Sequence, residues 1–345
     1  MADMTAVVLP RHGGPEVLEV RHDWPRPVPG PGQVLVKVAA AGMNNTDLWT
    51  REGAYGLPGP PSGWRGPIAF PRVQGGDVCG VVAEVGAEVA PSRVGERVLV
   101  DPALYRDETP TAPIVGVLGS ESDGGFAEYV VTDDARAHDV SESPLDDDQL
   151  AALPIAYGTA VGMLERAAVG AGETVLVTGA SGGVGLALVQ LAVARGARVV
   201  AVSSGAKAAQ VLDAGAHRVV DRGGDLAAQV ADAAPDGLDA VADVAGGPLL
   251  DAILPLLRTD GRWVIAGAIA GPVVELDLRR LYLRNLTLIG STMHTREHFA
   301  RLVDEARAGT IAPVVAARYP LAQIAEAQQA FRRAEHVGKI VLSLG

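Results

Sequence analysis

The hydrophobic pattern of this chain changes period near residue 150. Before that point, short β-branched runs lie between Gly and Pro clusters: Thr5–Leu9, Val34–Ala40, Gly80–Val85, Arg97–Val100 and Ala127–Thr132. Runs of this kind predict the strands of a β-rich region. Beyond it, apolar runs alternate with stretches of helical spacing. Strands are predicted over Thr174–Thr178, Arg198–Val202, Arg218–Asp221, Ala240–Val244, Arg262–Gly267 and Leu286–Ile289, with helical patterns such as Ala206–Ala214 and Pro248–Leu257 between them. Such alternation predicts an α/β doubly wound parallel sheet with helices on both faces. Helices near Arg296–Ala308 and Leu321–Glu335 and a closing strand Lys339–Leu344 follow. That strand needs a sheet, and we assign it to the β-rich region. The expected domains are then residues 1–150 with 294–345, and residues 151–293. Two stretches, Gly56–Phe70 and Asp101–Gly125, are too rich in breakers or too irregular for a regular element.

Composition narrows the function classes. At 345 residues, 48% hydrophobic and 20% charged, the chain suits two packed domains rather than disorder. A net charge of −12 with no basic run argues against a nucleic acid or an anionic membrane as partner. No apolar stretch reaches the roughly 18 residues of a membrane span. Arg11, Glu16 and Glu19 interrupt any leader pattern, so the cytoplasm is the expected location. The single cysteine, Cys79, excludes an intrachain disulfide and a multi-cysteine zinc site, and its apolar neighbours mark it as a small buried hydrophobe. Asp146-Asp-Asp148 is expected to cap the helix leading to Leu153.

One segment carries chemistry by itself. The strand ending at Thr178 runs into Gly179-Ala180-Ser181-Gly182-Gly183-Val184-Gly185, and the apolar helical run Leu186–Val193 follows at once. A tight glycine turn brings backbone N–H groups to a helix N-terminus, where a dinucleotide pyrophosphate binds. The second strand then ends in Ser203-Ser204-Gly-Ala-Lys207, where no carboxylate is expected near that point, and Arg222 follows the third strand. Two hydroxyls and these cations suit a 2′-phosphate, which favours NADPH over NADH; the alternative is that Ser203–Lys207 only caps the next helix.

Across nearly its whole length the chain resembles the medium-chain dehydrogenase/reductase superfamily, most closely its zinc-free quinone oxidoreductase (zeta-crystallin-like) branch. The resemblance rests on Gly13-Gly-Pro-Glu-Val-Leu18, Pro29-Gly-Pro-Gly-Gln-Val-Leu-Val-Lys-Val38, Gly42-Met-Asn-Asn-Thr-Asp47, Gly75-Gly-Asp-Val-Cys-Gly80, Gly95-Glu-Arg-Val98 and Gly124-Gly-Phe-Ala-Glu-Tyr129. Leu153-Pro154 with Thr159-Ala160, the glycine turn, Gly290-Ser-Thr-Met293 and Gly338-Lys-Ile-Val341 complete it. It implies a GroES-like catalytic domain beside a Rossmann domain. The positions that hold zinc in alcohol dehydrogenases of this superfamily match Asn44, Gly76 and Ile155 here, a poor ligand and two residues with none, so no metal is expected. Asp77 follows the matching histidine position.

The same resemblance implies that Asn44 donates to a substrate carbonyl, the alternative being a turn asparagine, that Thr46 stands at a proton-relay position, and that Asp47 orients the loop and Arg51. Tyr55 is either a proton donor or a pocket wall. It further implies that Thr159, Ala245, Gly267, Ala268 and Ile269 join the glycine turn around the cofactor, and that Lys339 either approaches the cofactor from the other domain or lies on the surface. Trp64 and Phe70, in the long loop, either close over an apolar acceptor or pin the loop. His294-Thr-Arg-Glu297-His298 fits a metallopeptidase pattern by chance of helix spacing. The expectation is a zinc-independent, NADPH-dependent enzyme passing hydride to a quinone or α,β-unsaturated carbonyl compound, a homodimer joined through Leu286–Ile289. The alternatives are a pathway-specific enoyl or enone reductase, a zinc-type alcohol dehydrogenase relative, and a non-catalytic NADPH-binding protein.

Overall fold

A computed structural model describes residues 2–55, 60, 62–110 and 112–344. The chain divides into two compact units, Met1–Ile155 with Thr295–Gly345, and Ala156–His294.

Among the described residues, the first unit is built on a seven-stranded sheet. Its order is Ala137–Asp139, Arg97–Val100, Asp77–Val85, Gln33–Gly42, Lys339–Ser343 and Val315–Pro320, with Tyr129–Asp133 also paired to Gln33–Gly42. The long strand Gln33–Gly42 is central because valines recur at every second position: Val34, Val36 and Val38 are buried in one apolar core with Val78, Val82, Val98 and Val130. The closing strand pairs antiparallel to it, with Val341 opposite Gly42. A smaller sheet sets Asp3–Leu9 between Glu19–Pro25 and Arg72–Val73. Glu19–Pro25 is a polar edge strand with no alternation to reveal it.

Asp101–Gly125 is more ordered than its sequence suggests. Asp101 accepts from the Ala103 N–H at 2.9 Å and the Tyr105 hydroxyl at 2.8 Å, which starts a hairpin of Ala103–Tyr105 with Ile114–Val117. Asp146 caps the helix Asp147–Ala151 as expected, accepting from the Gln149 N–H at 2.7 Å.

The second unit holds six parallel strands in the order Arg218–Asp221, Arg198–Ser203, Thr174–Val177, Leu238–Asp243, Leu257–Ile265 and Thr287–Gly290. Every expected strand is present. The fifth begins earlier than expected, at Leu257, and carries Asp260 at φ 61. The helix expected over Pro248–Leu257 is shorter, Leu249–Ile253, and passes into a 3-10 turn at Leu254–Leu256, where Pro255 removes a backbone donor. Strand order reverses between Thr174–Val177 and Leu238–Asp243, the switch point at which a doubly wound sheet opens for ligands.

Candidate active site

In the first unit, three neighbouring strands bring their ends together around Asn44. Register sets Asp77 opposite Gly42 on one side, while on the other the Met43 N–H donates to Ile340 O at 3.0 Å. Lys339 therefore arrives beside Asn44. Its ammonium donates to Met43 O at 2.6 Å, Asn44 Oδ1 at 2.6 Å and Asp77 Oδ2 at 2.9 Å. Asn44 Nδ2 donates to Asp77 Oδ2 at 2.8 Å, and Asp77 Oδ1 accepts the Ile155 N–H at 2.6 Å. Gly42 is required here, because a Cβ would lie 2.7 Å from Asp77 Oδ2.

Lys339 is only 3% exposed and its ammonium is bonded to three acceptors of the protein, which corrects the expectation of a surface position.

Asn44 also begins the helix Asn45–Glu52. Asp47 accepts the Asn44 N–H at 2.8 Å and so braces the turn that carries Asn44. Burial pushes the Asp47 carboxyl up to about 7, with neighbouring Asp77 adding to the rise against the backbone donors and Lys339. Arg51, expected to be oriented by Asp47, is instead bonded to Gly13 O at 2.5 Å, Gln328 Oε1 at 2.9 Å and Glu52 Oε1 at 3.1 Å. Gln74, absent from the sequence reading, supports Asp47 by donating from Nε2 to its carbonyl at 2.8 Å.

One turn further on, the Tyr55 hydroxyl donates to Thr46 Oγ1 at 2.8 Å, and the Trp49 ring meets Tyr55 edge-on at 5.4 Å. Burial raises the Tyr55 phenol above its ordinary range, so it stays protonated. Since Tyr55 donates to Thr46, the Thr46 proton is directed elsewhere. Of the loop after Tyr55, residues 56–59 and 61 lie outside the described residues. In the described part, Trp64 N–H donates to Ser120 Oγ at 3.1 Å, Arg65 stacks 4.3 Å over the Trp64 ring, and Phe70 packs edge-on to His12 at 4.7 Å. Phe70 thus meets a distant segment through its ring, whereas the Trp64 ring meets its chain neighbour Arg65.

The residues at the zinc-ligand positions do not fit a zinc ion. A Cβ at Gly76 would meet Ile155 Cδ1 at 2.7 Å and Leu118 O at 3.0 Å, so Ile155 fills the space a ligand side chain would need. Among the described residues no three His, Cys, Asp or Glu side chains group to hold a metal. His294 is fully buried and lies against Gly158, where a Cβ would come within 2.4 Å of its Nδ1.

In the second unit, the glycine turn is the tight bend its sequence implies. Gly179 has φ 58, Gly182 N–H donates to Gly179 O at 3.0 Å, and Gly182 is the N-cap of the helix Gly183–Ala194. Gly185 is obligatory, because a Cβ there would lie 2.1 Å from Gly179 O. Ala180 N–H donates to Val202 O at 3.1 Å and ties the turn to the second strand. Ser181, Gly183 and Val184 remain partly accessible over the helix's first N–H groups, the arrangement a pyrophosphate requires. Thr159 is buried on the helix Pro154–Arg166.

Around the next two strand ends the protein is built by a residue not singled out beforehand. Asp243, buried at the end of its strand, accepts from Thr178 Oγ1 at 2.6 Å, Ala245 N–H at 2.9 Å, Gly246 N–H at 3.0 Å and Trp263 Nε1 at 3.1 Å. Gly267 approaches the same turn so closely that a Cβ would lie 2.5 Å from Val244 O. The Ala270 N–H, just past Ala268 and the exposed Ile269, donates to Ala245 O at 2.8 Å. An acidic residue ending an apolar strand was the available signal.

At the second strand's end, Ser203 Oγ is buried with no hydrogen-bond partner among the described residues, and Ser204 makes no side-chain cap. Ser204 is nevertheless the N-cap of the 3-10 turn Gly205–Lys207, its carbonyl accepting the Lys207 N–H at 3.0 Å. Lys207 is half-buried and Arg222 exposed, its N–H donating to Ser203 O at 2.9 Å. One expectation is corrected: a carboxylate does stand nearby. Parallel pairing sets Asp221 opposite Ser203, and Asp221 Oδ2 lies 3.6 Å from where a Gly205 Cβ would be.

Comparison with known proteins places these features in a family. A model of the alcohol dehydrogenase GroES-like domain matches residues 30–142, and one of the zinc-binding dehydrogenase domain matches 183–308. The human quinone oxidoreductase is 32% identical, over 99% of this chain and 98% of its own length. An acryloyl-coenzyme A reductase of Metallosphaera sedula is 31% identical over 99% and 100%. Among solved structures, a Sinorhizobium meliloti protein provisionally described as an alcohol dehydrogenase is 48% identical, with TM-score 0.95 over 99% and 97% of the two chains. A cobalt- and zinc-bound thermostable alcohol dehydrogenase of Pyrobaculum aerophilum is 32% identical with TM-score 0.86, covering 99% and 100%. Mycobacterial Rv1454c complexed with NADPH is 30% identical with TM-score 0.78, covering 99% and 99%.

Proposed function

The chain belongs to the medium-chain dehydrogenase/reductase superfamily, in its quinone oxidoreductase branch, and is an oxidoreductase; from that premise we propose a metal-independent, NADPH-dependent reductase of quinones or α,β-unsaturated carbonyl compounds. The observation that carries this reading is the buried Asn44 carboxamide. One Nδ2 proton is committed to Asp77 and the second has no partner among the described residues.

NADPH, when bound, supplies the hydride. The N–H groups of Gly183 and Val184 would hold its pyrophosphate, and Ser203, Ser204, Lys207 and Arg222 would take its 2′-phosphate. Ser203 Oγ, buried without a partner, is a donor suited to a phosphate oxygen. Asn44 Nδ2 donates to the acceptor's carbonyl oxygen as negative charge gathers there, the stabilisation a Lewis acid provides in zinc enzymes. Thr46 Oγ1, which accepts from Tyr55 Oη at 2.8 Å, keeps its own proton to donate in a hydrogen bond to the acceptor oxygen, and water supplies the proton that completes the reduction. The resemblance to an acryloyl-coenzyme A reductase supports an activated alkene among the acceptors.

A screen of quinones, enones and aldehydes following NADPH absorbance tests the reading. Turnover with quinones or enones is expected, and Asn44→Ala is expected to lower kcat about 100-fold with NADPH binding unchanged. No turnover with any acceptor would leave a nucleotide-binding protein, and tighter binding of NADH than NADPH would reverse the cofactor preference. Full activity after dialysis against a chelator is expected.

The dimer belongs to the same reading. Val273, Leu278, Tyr282 and Leu283, in the segment that leads into the edge strand Thr287–Gly290, are 87%, 67%, 63% and 72% exposed, apolar side chains that a second copy would cover. Light scattering at twice the 35.5 kDa chain mass is the expected result.

A further inference from the structure

Resting on the role proposed for Asn44, we infer that the Lys339–Asp77 ion pair is a positioning device that keys which end of the Asn44 carboxamide faces substrate. The two ends of a carboxamide have nearly the same shape and opposite polarity, so packing alone does not choose between them. Charge does. An ammonium only donates, so the atom 2.6 Å from Lys339 Nζ has to be Oδ1; a carboxylate only accepts, so the atom 2.8 Å from Asp77 Oδ2 has to be Nδ2. Turning the amide over would set oxygen against carboxylate and N–H against ammonium. Both contacts would be repulsive in a buried site, where charges are weakly screened.

The two ions are themselves held. Lys339 and Asp77 meet at 2.9 Å, closing a triangle with Asn44, and each has a backbone bond besides: Lys339 to Met43 O at 2.6 Å, Asp77 from the Ile155 N–H at 2.6 Å. Lys339 is 3% exposed and Asp77 0%, so neither reaches substrate and each acts only through Asn44. The pair is neutral overall. It thus fixes a hydrogen-bond donor, rather than an acceptor, toward the reacting oxygen without adding net charge to the site.

Selective 15N-asparagine labelling tests this directly, because the chain has only three asparagines, Asn44, Asn45 and Asn285. In the unaltered protein without cofactor, the Asn44 side chain, assigned by its loss in Asn44→Ala, is expected to show two well-separated protons. One, bonded to Asp77, should exchange with water at least about 10-fold slower than the other. Equal exchange of both protons would overturn the inference. The double variant Lys339→Met with Asp77→Asn removes both charges together, which spares the fold the isolated buried charge that a single change would leave. In it the Asn44 resonances are expected to broaden or merge, and kcat to fall at least about 10-fold at unchanged KM for NADPH. A folded double variant with native Asn44 resonances and kcat within about 2-fold would show a merely structural pair. Because the labelling readout needs no turnover, absence of activity in the unaltered enzyme would count against the proposed reaction and leave the positioning test intact.

Discussion

Around Asn44 the polar groups of the protein answer one another, whereas around Ser203 they are left waiting. Asp77 takes three donors and Lys339 gives to three acceptors, all buried. Ser203 Oγ, equally buried, has no partner among the described residues, and Arg222 stands exposed beside it. The difference separates two ways of building a site. A saturated network gives a fixed direction to one hydrogen bond, while unmet donors give affinity to an anion that arrives from outside.

The comparison breaks hardest where the saturated network loses one ion. Asp77→Ala leaves the Lys339 ammonium buried without a counter-charge, and a loss of about 3–5 kcal/mol of unfolding free energy is expected by denaturant titration. A loss below about 1 kcal/mol would mean that water enters the cluster. At the glycine turn the opposite holds. Gly182 has room for a side chain, its nearest atom being Gly179 O at 3.5 Å, and an aspartate is a favourable N-cap. Gly182→Asp is therefore expected to fold normally yet weaken NADPH binding more than about 100-fold, because its carboxylate meets the pyrophosphate. Calorimetric titration beside a melting curve separates the two effects.

A pH series sharpens the contrast from the other side. Burial holds the Asp47 carboxyl at about 7, above its unfolded value of about 3.9, so the folded state holds that proton more tightly. The stability this contributes is full below about pH 4 and is lost as pH rises through about 7. In Asp47→Asn, which keeps an oxygen for the Asn44 N–H, the fall in Tm over that window should flatten; an unchanged slope would exclude Asp47 as its source.

Smaller effects are expected at the unmet site. Ser203→Ala removes a buried hydroxyl with no partner, so Tm should hold or rise slightly while the Kd for NADPH rises about 10-fold and that for NADH stays level. Asp221→Asn removes the carboxylate opposite Ser203, and NADPH should bind about 2-fold tighter, the gain fading in high salt.

What could be read beforehand follows the same division. The strands and helices of the second unit, and the glycine turn at its switch point, lie in contiguous segments whose hydrophobic period and glycine placement act locally. The donor set at Asn44, Gly76 and Ile155 was legible for a like reason, since one carboxamide and two side chains without a donor atom are read from residue identity alone. The hairpin at Ala103–Tyr105 was not legible, because its organiser is one aspartate bonding its own turn in a stretch without alternation.

The sequence by itself determined the architecture, the dinucleotide-type turn and the identity of Asn44, because each rests on neighbouring residues. Only the tertiary structure decided what surrounds Asn44 and Ser203. Asp77 and Lys339 lie 33 and 295 positions from Asn44, and Asp221 lies 18 beyond Ser203. Strand register brings each into contact, and register is set by the pairing of whole sheets rather than by any one segment.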